Sequence, residues 1–129
     1  MAVSRRHFFY GTLLAGAVPA GGYKSPGEKL HFAAIGSGGQ GGSNIRAAAP
    51  TENITALCDV DDRRAAPTYK EYPNTPKYRD FRKMLDKEGK SIDAVIIATP
   101  DHMHGIAAMW CMERNKHVYV QKPLVRTVW

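Results

Sequence analysis

The chain has 129 residues, 43% of them hydrophobic and 23% charged, which suffices for one packed domain and excludes a chain disordered over its whole length. Its formal net charge of +6 includes Arg5 and Arg6 of an N-terminal address; without them sixteen basic residues face twelve acidic ones. That mild excess is interspersed with acids, as in Asp61-Asp62-Arg63-Arg64, which describes a solvated surface and argues against a nucleic-acid partner.

In chain order the first element is an address. Ser4-Arg5-Arg6-His7-Phe8-Phe9 precedes an apolar stretch from Tyr10 to Val18 and then small residues, the order of a secretory leader. The apolar stretch falls short of the roughly 20 residues that span a bilayer, so no stable membrane span is expected. Adjacent arginines followed by Phe resemble the twin-arginine leader, which exports cargo already folded and suits a protein loaded with its cofactor in the cytoplasm. Ala15-Gly16-Ala17 and Val18-Pro19-Ala20 both offer small-residue cleavage sites. Residues 1–28 are therefore expected to be leader and linker, residues 29–129 a domain, and the protein periplasmic or otherwise exported.

After the linker, strand-like and helix-like patterns alternate. Leu30 to Ile35, Ile54 to Cys58, Ala94 to Ala98 and His117 to Val120 are short apolar runs rich in β-branched residues, as strands buried on both faces should be. Between them Gly41, Ile45, Ala48 and Ala49, then Tyr78, Phe81, Met84 and Leu85, then Met103, Ile106, Ala107 and Trp110 follow helical spacing. Such alternation predicts right-handed βαβ crossovers and a doubly wound, Rossmann-like parallel α/β sheet. A further helical segment is expected to begin at Leu124, and with no sixth strand or second lobe before Trp129 the chain is expected to be a fragment. Cys58 and Cys111 lie in apolar runs and read as buried thiols.

Gly36-Ser37-Gly38-Gly39-Gln40-Gly41 directly follows the first strand and opens a helix, the context of a dinucleotide fingerprint. Gly36 can turn the chain, Gly38 lets backbone approach a pyrophosphate, and Gly41 lets the helix pack close to the strand. The helix N-terminus then offers unpaired N–H groups to the phosphates. Asp59 ends the second strand, where a carboxylate can accept both ribose hydroxyls of NAD and repel the 2′-phosphate of NADP. NAD is the expected cofactor; Arg63 and Arg64 leave NADP as the second choice, and a turn or N-cap role for Asp59 is the plain alternative.

The strand ending at Ala98 delivers Thr99-Pro100-Asp101-His102-Met103-His104 to the carboxyl edge, where open sheets bind ligands. Asp101 is suited to cap the next helix. Side chains two apart on a helix diverge, so His102 and His104 are not expected to share a metal; His104 is expected to line the cofactor pocket with Thr99 and Pro100. The last strand brings Gln121 and Lys122 to the same edge.

These motifs together, the glycine loop, the acid, Ala98-Thr99-Pro100 with His104, and Lys116-His117-Val118 leading to Lys122-Pro123, resemble the N-terminal domain of the glucose-fructose oxidoreductase, inositol dehydrogenase and rhizopine-catabolism dehydrogenase family (Gfo/Idh/MocA) from about Lys29 onward. The resemblance implies that Lys122 is the catalytic base, taking a proton from a sugar or polyol hydroxyl while hydride passes to NAD. Gln121 stands where the family usually has Glu and would hydrogen-bond the nicotinamide ribose without charge. It also implies a second, substrate-binding domain and a homo-oligomer in the full-length protein. Two other functions remain open at this point: an NAD-dependent glycosidase of the oxidation–elimination type, and a non-catalytic nucleotide-binding fragment.

Overall fold

A computed structural model describes residues 29–125 and residue 127. The leader with Arg5 and Arg6 lies outside the described residues. The elements run β1 (His31–Ile35), α1 (Gln40–Ala48), β2 (Asn53–Cys58), α2 (Asp62–Glu71), β3 (Lys77–Tyr78), α3 (Phe81–Glu88), β4 (Ala94–Ile97), α4 (Asp101–Met112) and β5 (His117–Val120), with a short 3-10 turn at Gly89–Ser91. The strands form one five-stranded sheet in the order β3-β2-β1-β4-β5. Every pairing is parallel, so the expected doubly wound architecture is the one formed.

The sheet is covered on both faces because its strands alternate two apolar sets. From β1, Phe32 and Ala34 pack with Ile45 of α1 and Leu57, flanked by Tyr69 and Tyr72. Ala33 and Ile35 point the other way, into a larger cluster with Met84 and Leu85 of α3 and Ala107, Ala108 and Cys111 of α4. Burying a side chain such as the fully enclosed Ile45 stabilises by about 1.5–3 kcal/mol, which makes this stripe the main anchor of α1 on the sheet.

Helix ends follow local chemistry. The Asp61 carboxylate accepts from the N–H groups of Arg63 and Arg64 to cap α2, and Asp80 accepts from Arg82 N–H to cap α3. Asn115, at φ 57°, takes the left-handed conformation that closes α4.

Four departures from the sequence-based expectation have physical causes. Tyr78 belongs to β3, where its hydroxyl donates to Glu88 Oε1 at 2.6 Å, and so is not part of the α3 stripe. α2 fully buries only Ala65 and Thr68, with Tyr69 half-buried beside them, and contains Pro67, so its inward stripe is small, polar-tipped and interrupted by a helix breaker. α4 starts on Asp101, leaving Pro100 in the cap position without a side-chain cap. Leu124 does not begin a helix: residues 124 and 125 are irregular.

Candidate functional site

With β1 central, the chain leaves β1 toward β2 on one side and returns to β4 on the other. The connections leaving the carboxyl ends of the paired strands β1 and β4 therefore run to opposite faces of the sheet and open a crevice between them, the switch point at which open α/β sheets bind ligands. A cleft of about 1070 Å³ opens there, bordered by Gly36, Gly38, Gln40, Asp59, Thr99 and Pro100 among others.

The glycine loop is held in shape before any ligand arrives. Gly36 N–H donates to Cys58 O at 2.8 Å, and the N–H groups of Ser37 and Gly38 both donate to Asp59 Oδ2 at 2.9 Å. The Ser37 hydroxyl donates to Cys58 O at 3.1 Å, while the Thr68 hydroxyl donates to Ser37 O at 2.7 Å. Asp59 Oδ1 accepts from Asp61 N–H at 2.9 Å. Asp59 is thus a brace of the loop, and the neighbouring Asp61 does the capping.

The glycines are demanded by close approach. Gly36 has φ 84°, and a Cβ there would stand 2.6 Å from Ala98 O. A Cβ on Gly41 would overlap the Gly36 carbonyl oxygen, so α1 can reach β1 only without one. At Gly38 a Cβ would stand 2.8 Å from Arg64 O, which shows that α2 also presses on the loop. Gly39, at φ 54°, occupies the N-cap of α1, whose first turn holds no acidic residue to compete with an anion.

The remaining expected residues divide. Thr99 borders the cleft, and its Oγ1 is buried with no hydrogen-bond partner, a polar atom ready for a ligand. Ser37 is fully buried beneath the loop. Gln121 N–H donates to Ile97 O at 2.9 Å, so Gln121 continues the β4–β5 ladder, and the exposed Lys122 follows it. Neither borders the cleft, although both stand at the same sheet edge.

His104 departs from the expectation that it lines the pocket. It is 2% exposed, with Nδ1 2.7 Å from Pro123 O and Nε2 2.8 Å from Thr99 O. Both ring nitrogens face backbone carbonyl oxygens and neither is turned to the cleft, which His102 borders instead.

Several cleft residues carried no sequence signal for a site. Cys58 forms part of its floor, its thiol pushed up to about 12 by burial, with Asp59 and Asp80 adding to the effect. Phe81 and Trp110 also border it and meet edge to face at 6.4 Å. Arg79 borders the cleft while donating to Val60 O at 2.9 Å. Asp80 is held down to about 2 by the Arg82 guanidinium, with the Arg82 N–H assisting.

A braced glycine turn, a helix N-terminus free of acids, a carboxylate behind the loop and an unpartnered hydroxyl across the crevice suit a dinucleotide in its extended form. Known proteins agree with that chemistry. An inositol 2-dehydrogenase of Rubrobacter xylanophilus is 29% identical over 100 residues, covering 75% of this chain and 28% of the relative. A glycosyl hydrolase family 109 protein of Solibacter usitatus is 30% identical over 127 residues, covering 80% of this chain and 26% of the relative. Among solved structures, myo-inositol 2-dehydrogenase of Lactobacillus plantarum superposes with a TM-score of 0.70 at 25% identity, over 78% of this chain and 30% of that one. The chain therefore spans less than a third of the length of these relatives. Residues 30–129 match the profile of the oxidoreductase family with the NAD-binding Rossmann fold, and the chain belongs to that family.

Proposed function

We propose that this chain is the nucleotide-binding part of an exported NAD-dependent oxidoreductase that acts on a sugar or polyol hydroxyl. The observation that carries the proposal is the glycine loop braced by Asp59 at the β1–β4 crevice. Gly36, Gly38 and Gly39 with the first turn of α1 would hold the pyrophosphate, and Gly41 keeps that turn against β1. Asp59, with Oδ2 taken up by two N–H groups and Oδ1 by one, retains one acceptor position on Oδ1 for an adenosine-ribose hydroxyl, and its charge favours NAD over NADP. Thr99 and Pro100 border the other wall, and Gln121, at the same sheet edge but outside the cleft, would approach the nicotinamide ribose only from beyond that wall.

The bound nucleotide supplies a hydride acceptor. Lys122 in its neutral form would take the proton from the hydroxyl oxygen while the hydride on the carbon bearing it would pass to the nucleotide, and the second domain of the full-length protein would complete the pocket and the expected homo-oligomer. Export of a folded protein with NAD held tightly accords with the twin-arginine-like leader, since paired substrates would recycle the nucleotide in place.

Nucleotide released by denaturing the full-length protein tests the cofactor. Stoichiometric NAD supports the proposal; no released nucleotide, and no binding of added NAD or NADP, overturns it. Lys122→Met is expected to abolish turnover while nucleotide stays bound, and unchanged turnover would remove Lys122 from its role.

A second reading has its own support, in the 30% identity to a protein named as a family 109 glycosyl hydrolase. In it the sugar is oxidised only transiently, the aglycone is eliminated, water adds in its place and the sugar is reduced again by the returned hydride. Release of nitrophenol from a nitrophenyl glycoside with no net NADH would favour it over the dehydrogenase.

A further inference from the structure

The turn that carries Lys122 is fixed from below by two consecutive residues of α4. The His104 ring sits between two carbonyl oxygens, Pro123 O at 2.7 Å from Nδ1 and Thr99 O at 2.8 Å from Nε2. Carbonyls only accept, so the ring must donate; a neutral imidazole donates to one of them and a doubly protonated ring to both. The ring thereby lies between the end of β4 and the residue after Lys122, hydrogen-bonded to at least one of them. Gly105 is the next residue, and a Cβ there would stand 3.0 Å from Val125 Cγ1. A glycine in the middle of a helix is unfavourable on its own, and here the missing side chain is the space into which Val125 settles.

On the other side of Lys122, Gln121 N–H is tied to Ile97 O at 2.9 Å. Lys122 is therefore bracketed by a ladder hydrogen bond before it and the α4 seat after it, while its own side chain is exposed. Such bracketing fixes the backbone from which the ammonium departs and leaves the long side chain as the only free variable.

We propose that His104 and Gly105 are positioning residues for Lys122: together they seat the chain at residues 123–125 so that Lys122 points at the nicotinamide end of the crevice. The proposal rests on the role given to Lys122 above. Displacing a reacting group by about 1 Å can cost on the order of a hundredfold in rate, so loosening the seat should act on turnover while the glycine loop still binds nucleotide.

The test uses the full-length protein, a limiting amount of an acetylating N-hydroxysuccinimide ester, and peptide mass mapping of Lys122, with the exposed Lys90 as internal reference. In the parent, saturating NAD is expected to slow acetylation of Lys122 severalfold and leave Lys90 unchanged. His104→Phe, which donates to neither carbonyl, and Gly105→Leu, which fills the Val125 space, are expected to bind NAD as tightly as the parent yet lose that protection. His104→Gln keeps a donor and should retain part of it, a graded rescue that a merely space-filling histidine would not give. Two differently built variants guard against one failing to fold. Full protection in either variant that still binds NAD overturns the seat. Absence of protection in the parent instead removes Lys122 from the nicotinamide, and the positioning role falls with it.

Discussion

Asp59 is expected to stabilise the domain before any nucleotide binds. Its Oδ2 accepts from Ser37 N–H and Gly38 N–H, and its Oδ1 from Asp61 N–H, each at 2.9 Å. Hydrogen bonds to an ionised acceptor contribute about 1.5–3 kcal/mol each, and water entering the half-exposed site recovers part of this on truncation. Asp59→Ala should accordingly lose about 3 kcal/mol in the nucleotide-free protein. Asp59→Asn should lose about 2 kcal/mol, because its amide group turns a donor toward backbone donors on one side or the other. For a domain of this size the expected drop in Tm is about 10 °C or more. Thermal unfolding of the nucleotide-free protein, followed by circular dichroism, reads it directly, and a nucleotide titration of the same samples should show weaker NAD binding. If both variants unfold with the parent and lose only NAD affinity, the carboxylate serves the ribose alone and the bracing argument is wrong.

Gly41→Ala drives a methyl onto the Gly36 carbonyl oxygen and should destabilise by about 1–3 kcal/mol or more, whereas Gly89→Ala, with nothing within 4 Å, should not; equal unfolding midpoints would refute the close-packing account. Cys58, pushed up to about 12, and Cys111, pushed up to about 11 chiefly by burial, should stay thiols at pH 7.5 and resist iodoacetamide until the protein unfolds; rapid labelling of native Cys58 would contradict its place in the floor. Asp80, held down to about 2 by Arg82, has a folded-state pKa below its unfolded value, so its stabilisation is fully present above about pH 4 and lost as the pH falls toward 2. The stability difference between parent and Asp80→Asn should be flat at neutral pH and shrink across that acid window; a difference that grows on acidification would reverse the sign of the argument.

The parts of the fold legible in the sequence are those that bury continuous apolar runs. β1, β2, β4 and β5 lie within one residue of the limits that their β-branched and alanine-rich runs suggest. β3 escaped because two residues, Lys77 and Tyr78, are too few to show a period, and α2 escaped because its inward face joins Ala65 and Thr68 to a half-buried Tyr69 across Pro67, which reads as a helix breaker. At the site, the spacing of Gly36, Gly38, Gly41 and Asp59 was readable because each answers to backbone geometry that only glycine, or only an acceptor at a strand end, satisfies. The destination of His104 was not. A histidine one turn into a helix looks the same in sequence whether its ring faces a ligand or a carbonyl of a turn nineteen residues later.

The position of β4 between β1 and β5 also has a consequence in time. The N–H of His31 donates to the side chain of Asp93, 62 residues further along, and β1 pairs with the strand that begins just after it. At roughly 5–20 residues per second of synthesis, that partner follows β1 from the ribosome about 3–12 s later. During this interval the βαβ unit of β1, α1 and β2 can form, but the other edge of β1, with Phe32 through Ile35 destined for full burial, stays bare. The nascent chain thus carries an adhesive strand edge for seconds, and the arrival of Ala94–Ile97 both completes the crevice and removes that hazard.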